Sequence, residues 1–394
     1  MAAKQWTLTD AEKNLNEPEF SLSPSDVPGA PAGFSVTKSR FKGGVRQGVD
    51  MVQIDNGKLR VAALPTRGMG LWRAWLGKLE IGWQSPVKGP VHPGFVPLME
   101  PSGLGWLSGF DELLVRCGLE SNGAPDFEEN GALKYPLHGR IANRPAHHVE
   151  LAIDPASGEI RLTGVVDETR FHFQKLRLTS SLVTHFGSPT LRIVDEVSNL
   201  SASPAEMQLL YHTNFGQPLL DPGAKVVVAA ATIVPRDARA AEGLSNWDSY
   251  GNEQPGYAEQ CYFLDLLADA KGTSHVLLKN AHASQGVSMR FPKKALPHFT
   301  VWKNTVAAAD GYVTGLEPAT NFPNPRSFES KQRRTVKLDG GGKAHFELEL
   351  EVHGDAQGVS RAEQAIAKLQ GRAEPKIFQT PQDGWTPGQG IKIK

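Results

Sequence analysis

The sequence predicts an all-β protein, a large antiparallel β-sandwich with few short helices. Three observations point there: many short apolar or alternating runs spaced about 8–15 residues apart, a high density of turn residues between them, and no strand–helix–strand alternation. The turn density is compositional, with 40 Gly and 28 Pro among 394 residues, where average usage of the two is ~12 %. No segment repeats at the ~20–50-residue period of a propeller or solenoid.

Residues 1–44 are rich in Ser, Pro, Gly and charge, with one weak helical patch over 10–16, and read as an N-terminal arm outside the core. A single β domain is expected over residues 45–355. It opens with two apolar stretches in 51–64 around Asn56-Gly57, a strong hairpin signal because both residues tolerate positive φ. Residues 148–153 and 160–166 flank the turn 154–158, and 171–178 alternates with period two. Further strands are expected over 191–197, 207–214, 225–234, 274–278, 287–291, 298–303 and 345–352. Residues 356–394 should form a helix and a tail, since Ala362, Ala365, Ile366 and Leu369 share one helical face. Segments 89–143 and 236–261 follow neither period and are full of Gly, Pro, Trp and acids, as ordered site-bearing loops are.

The 42 basic and 42 acidic side chains cancel. A zero formal charge lacks the basic footprint of a nucleic-acid binder or an anionic-membrane protein and suits a compact neutral substrate. The longest nearly apolar run, 226–234, is half of the ~18 residues a membrane helix needs. No basic patch leads into an apolar stretch at the start of the sequence, so a cytoplasmic protein is the expectation. Cys117 and Cys261 have no paired spacing and read as reduced, buried thiols. Nucleophile-elbow and Ser-x-x-Lys patterns are missing, and Gly340-Gly341-Gly342 reads as a hairpin turn rather than a phosphate cradle. His147 and His148 would point to opposite faces of a strand, and His92, His138 and His212 lack metal-ligand spacing, so no metal and no cofactor is expected.

Three segments place polar side chains in a β context. In 136–140, His138 and Arg140 share a face across Gly139 if the chain is extended. In 209–216, His212 and Asn214 point the same way at the end of an apolar strand. In 313–323, Glu317 follows an apolar approach and precedes Pro318, which disfavours helix and would fix the carboxylate at a strand end. Each also has a purely structural explanation: a loop cap, a satisfied core histidine, a partner for an arginine.

Together these segments resemble the galactose mutarotase, or aldose 1-epimerase, family, and more closely its divergent branch. Leu137-His138-Gly139 is similar to the family's Leu-His-Gly segment, Tyr211-His212-Thr213-Asn214-Phe215 to its Asn-His-Thr-Tyr-Phe-Asn segment, and Leu316-Glu317 with Pro323 and Asn324 to its Leu-Glu segment. The order agrees, and the resemblance spans roughly residues 45–352. It implies a supersandwich fold and a cofactor-free exchange of sugar anomers. Glu317 would be the general base and His212 the general acid, placed on opposite sides of the ring, with His138 holding the sugar.

Where the family continues with a second glycine and a tryptophan, this chain has Arg140. That side chain suggests a more polar or acidic sugar, or a partner for Asp126 or Glu129. Arg67 and Arg116 are candidates for the family's upstream arginine, Asp248 for its sugar-holding aspartate, and Asn321 for a further substrate contact. Lys303 would bind a substrate carboxylate or phosphate if it faces inward, and is otherwise a solvated edge residue. Trp72, Trp75, Trp83, Trp106 and Trp302 are candidates to stack on a pyranose. The same His and Glu could instead abstract a carbon-bound proton in an epimerase or lyase, or the scaffold could only bind carbohydrate. The expected partner is a small carbohydrate, with no nucleic acid and no membrane; oligomeric state leaves no signature in the sequence.

Overall fold

Alternation of buried and half-buried side chains, carried through Glu159–Thr169 and through most of Lys175–His185, gives strands with one face against the core and one toward water. These two pair with each other and with Thr190–Asn199 and His148–Asp154 to form the middle of a ten-stranded sheet. A fourteen-stranded sheet faces it, and the inner faces share one apolar core. The computed structural model describes residues 3–388, and it is the large antiparallel sandwich that the strand pattern predicts. None of its described helices is long and apolar enough to cross a membrane.

Most of the predicted strands are present, with corrections that share a cause. The Asn56-Gly57 hairpin joins Asp50–Asn56 to Leu59–Leu64, with Gly57 at φ 91°. The run at 225–234 is two strands, Lys225–Val228 in the smaller sheet and Ala230–Pro235 in the larger. Residues 171–174 form a turn, and the strand starts only at Lys175. The Gly340–Gly342 triplet is not a hairpin turn: the strands on either side, Val336–Leu338 and Lys343–His353, pair with different partners.

The N-terminal segment is not an arm. Lys4–Asp10 pairs with His148–Asp154 and Phe34–Arg40 with Asp50–Asn56, so this segment extends both sheets. Leu8, Val27, Phe34 and Val36 belong to the main core. The helical patch at 10–16 is a single turn, Ala11–Lys13. At the other end, Ala356–Gln370 is the expected helix, capped by Asp355, which accepts from the Gly358 amide at 2.7 Å. It buries Val359, Ala362 and Ile366 on Ala229 and Leu277. The part of the predicted tail at 389–394 lies outside the described residues.

The middle of the larger sheet differs from the rest. Leu114–Leu119 and Val313–Ala319 are buried at every position, and Ala205–Phe215 at all but its first two. One face packs on the smaller sheet, and the loops at 83–113 and 137–143 cover the other with a second cluster containing Trp83, Trp106, Phe110 and Leu137. Period two then sorts the side chains: Leu209, Tyr211 and Phe215 go inward, while Leu210, His212 and Asn214 go to the loop-covered face.

Leu8→Ala should cost about 2–5 kcal/mol, the usual range for emptying a buried leucine site. Denaturant unfolding of the full chain checks this, and an unchanged midpoint would return the first 44 residues to the status of an arm.

Candidate active site

The register that pairs Leu210 with Ala319 and Thr213 with Leu316 sets His212 and Glu317 side by side on neighbouring strands. Their side chains meet on the loop-covered face with His212 Nε2 3.2 Å from Glu317 Oε1. The next residue in that row is Gly315, where a Cβ would come within 2.6 Å of Glu317 Oε1 and 2.9 Å of His212 Cε1. A glycine there leaves the space that the two polar heads occupy.

Asn214 fixes the imidazole. Its amide nitrogen donates to the Glu112 carbonyl at 3.0 Å and the His212 carbonyl at 3.2 Å, so its oxygen must be the atom 2.6 Å from His212 Nδ1. Nδ1 therefore carries the hydrogen and donates it to Asn214, which leaves Nε2 to deal with Glu317. Both groups are buried, Glu317 2 % and His212 4 % exposed. Burial pushes the Glu317 carboxyl well above the usual carboxylate range and the His212 imidazole down to about 4.

Around the pair lies a narrow cavity of about 60 Å³ lined by Trp106, Phe110, Leu137 and Trp302 together with His138, Arg236 and Glu259. It adjoins an outer chamber of about 570 Å³, and the two share Leu107, Phe110, Glu259 and Trp302. His138 sits in a turn at φ 57°; its ring lies edge-on to Trp106 and His212, at 4.6 and 5.2 Å between centroids. Its Nδ1 is buried with no partner among the described residues, and burial beside His212 holds its pKa well below the ordinary histidine value. Glu259 accepts from Arg236 at 2.9 Å and from Trp302 Nε1 at 2.6 Å.

The structure thus brings together His138, His212, Asn214 and Glu317, with Trp106 and Trp302 from the five tryptophan candidates. His212 and Glu317 are neighbours on one wall of the chamber rather than facing each other across it. The candidate cations lie elsewhere, and parity explains two of them. Arg116 faces the inter-sheet core, bound to Asp195 at 2.5 and 3.0 Å and to Ser180 at 2.7 Å. Lys303, opposite in facing to Trp302, is buried rather than at a solvated edge and donates to the Asn246 and Ser249 carbonyls at 2.6 and 2.7 Å. Arg67 holds Glu112 at 2.8 Å, the Gly109 carbonyl and Asn143. Arg140 pairs with Glu120 at 3.0 Å instead of Asp126 or Glu129, because the Leu137–Arg140 segment turns rather than extends.

Asn321 is bonded to Asn122 by reciprocal amide contacts of 2.7 and 3.0 Å. Asp248, Trp72 and Trp75 do not line the cavity, and Trp83 lines only the outer chamber. Arg236 and Glu259 were not anticipated. They sit at the ends of the aperiodic segment 236–261, whose composition had marked it as a site loop. Among the described residues no three His, Cys, Asp or Glu side chains are grouped to hold a metal ion. His147 and His148 lie nearest to different aspartates, Asp167 and Asp10.

Comparison with known proteins agrees with this fold. Residues 46–352 match a family model described as Domain of unknown function (DUF4432). A Klebsiella pneumoniae protein of solved structure, provisionally named an aldose 1-epimerase, is 34 % identical over 96 % of this chain and 99 % of its own, with a TM-score of 0.93. Two more distant structures share the fold. A galactose mutarotase-like protein from Clostridium acetobutylicum is 15 % identical over 77 % of this chain and 95 % of its own, with a TM-score of 0.54. Galactose 1-epimerase from Lactobacillus acidophilus is 12 % identical over 80 % and 97 %, with a TM-score of 0.53. No protein of curated function matches the sequence.

Fold and site together define a protein of the galactose mutarotase-like, aldose 1-epimerase class. Within that class, in its divergent branch, the chain belongs to the DUF4432 family.

Removing the Arg116 guanidinium leaves Asp195 buried and uncompensated, so Arg116→Ala should cost about 3–5 kcal/mol. Chemical denaturation reads that loss; a variant as stable as the parent would show that the Arg116–Asp195 pair does not tie the sheets together.

Proposed function

We propose that this protein is a sugar isomerase that interconverts the anomers of a free monosaccharide, with Glu317 and His212 as its proton-transfer pair. The observation that carries the reading is that pair itself: a carboxyl and an imidazole in contact, both buried, at the wall of an aromatic chamber. Anomer exchange removes a proton from the C1 hydroxyl and supplies one to the ring oxygen. The C1–O5 bond breaks, the open aldehyde turns about its C1–C2 bond, and the reverse transfers close the ring on the other face. Both oxygens are bonded to the same carbon and lie within a hydrogen-bond length of each other. Two groups side by side can therefore reach both, and a pair straddling the ring is unnecessary.

The chemistry needs one proton on the pair: whichever group holds it serves the ring oxygen while the other takes the anomeric proton. The family resemblance assigns Glu317 as base and His212 as acid, which corresponds to the proton starting on the imidazole. Trp106, Phe110 and Trp302 offer flat apolar surface to the C–H face of a pyranose. His138, which lines the cavity and whose Nδ1 has no partner among the described residues, would bind a sugar hydroxyl. Arg140 and Lys303 are both engaged outside the chamber, so an acidic sugar finds no partner in either.

Each proton transfer contributes about 10²–10⁴ in rate, so Glu317→Gln and His212→Gln should each lower anomer exchange by at least ~10² with sugar binding largely kept. Exchange NMR on a panel of free sugars measures it, and parent-level rates in both variants would defeat the proposal. Heavy water separates this chemistry from carbon-acid epimerisation: no deuterium should appear on carbon in the product. The pH profile follows from the need for one proton. Below about 4 His212 takes up a proton while Glu317 keeps its own, and far enough above the usual carboxylate range the pair is left with none. Activity should fall on both sides of an optimum whose acid limb lies near 4 and whose alkaline limb lies above the usual carboxylate range.

A further inference from the structure

The inner cavity is too small to enclose a whole sugar. At about 60 Å³ it has room for a few waters, and a hexose carries more non-hydrogen atoms than that. A pyranose whose C1 and ring oxygen reach His212 and Glu317 must leave its far edge, which carries the C4 hydroxyl, outside. The outer chamber begins there, since Leu107, Phe110, Glu259 and Trp302 line both spaces. At about 570 Å³ the chamber has the size of a complete small-molecule site, which runs to ~300–1,000 Å³. The trailing edge of one ring does not fill it.

The chamber's walls also suit a sugar. Trp83, Phe110, Tyr257 and Trp302 offer aromatic surface. Two of these rings are pinned: Trp302 Nε1 donates to Glu259 at 2.6 Å and Trp83 Nε1 to the Glu112 carbonyl at 3.1 Å. Asn304 gives its amide nitrogen to the Gly311 carbonyl at 3.3 Å, which leaves its oxygen to accept from a hydroxyl, and Asp310 carries an exposed carboxylate. Among the described residues lining the outer chamber are the carboxylates of Glu259 and Asp310 and no lysine or arginine. Arg236, in the inner cavity, already donates to Asp237 and Glu259 at 2.9 Å. Hydroxyl groups find acceptors here, whereas a phosphate or carboxylate meets like charge without a counter-ion.

We infer that the outer chamber binds a second, uncharged sugar unit joined to the far edge of the reacting ring, so that the substrate is a neutral reducing disaccharide or the reducing end of a longer neutral saccharide. The inference rests on the anomer-exchange reading above and extends its substrate from one ring to two. A linkage through O4 suits the arrangement, because C4 lies across the ring from C1. With C1 held deep at His212 and Glu317, the linkage crosses the shared wall of Glu259 and Trp302, and the second ring meets Trp83, Tyr257, Asn304 and Asp310.

The test compares maltose, cellobiose and lactose, which share a glucose reducing end linked through O4, with glucose itself. Exchange NMR on the full chain should give the best of the three a kcat/KM at least ~10-fold above that of glucose, and glucose 6-phosphate one at least ~10-fold below it. Ala258→Trp, which brings an indole into the outer chamber from an exposed position, should erase the disaccharide advantage, and Asp310→Lys should narrow the penalty on the phosphate. Titration of tryptophan fluorescence with the same sugars reads binding without chemistry. The disaccharide Kd should lie at least ~10-fold below that of glucose in the parent and match it in Ala258→Trp. Disaccharides that exchange and bind no better than glucose, or an advantage that Ala258→Trp leaves intact, overturn the inference. Disaccharides that bind more tightly than glucose to a protein that exchanges the anomers of no sugar would instead defeat the functional reading and leave the site for a second unit standing.

Discussion

The structure depends on one constraint: the middle of the larger sheet is covered on both faces. A strand offers its side chains alternately to two sides, and in most of this sandwich one of those sides is water. Where Ala205–Phe215 and Val313–Ala319 run beside each other, one side is the inter-sheet core and the other is a second, loop-covered interior. Residues adjacent in sequence then live in different buried worlds. Tyr211 bonds to Asp195 on the facing sheet at 2.9 Å, while His212 meets Glu317 in the chamber. The same rule sends Arg116 and Lys303 away from the chamber and Trp302 into it.

Because His212 and Glu317 are held by sheet register, their geometry follows from strand pairing, and the loops supply the walls. Gly315 leaves the room, Asn214 fixes the tautomer, and Glu112 contributes at one remove by orienting Asn214 through its carbonyl and accepting from Arg67 through its carboxylate. Arg236, Glu259 and Trp302 form a second polar ladder on the shared wall of the two chambers, where a sugar entering from outside would pass.

Legibility from sequence tracked solvent exposure. The Asn56-Gly57 hairpin and the strands between residues 148 and 199 on the smaller sheet could be read because one of their faces is wet and the pattern largely alternates. The strands Leu114–Leu119 and Gln260–Leu266 were invisible because burial on both faces erases alternation. The N-terminal strands were missed for a different reason: their stability comes from pairing with His148–Asp154 and Asp50–Asn56, partners far along the chain, so local composition gave no hint of them. In the site, His138, His212 and Glu317 carried recognisable neighbours in sequence, whereas Arg236 and Glu259 are an ordinary arginine and glutamate until the fold bonds one to the other.

By itself, the sequence determined the all-β class, most of the strands, the Asn56-Gly57 hairpin, and the two segments whose histidine and glutamate meet in the structure, because period two and special backbone angles are local properties. Only the tertiary structure decided which basic residues are already paired, that His212 and Glu317 stand shoulder to shoulder, and which atom of the imidazole faces the carboxyl. Those outcomes depend on register between strands remote in sequence and on what covers each face, and no short stretch of sequence contains either.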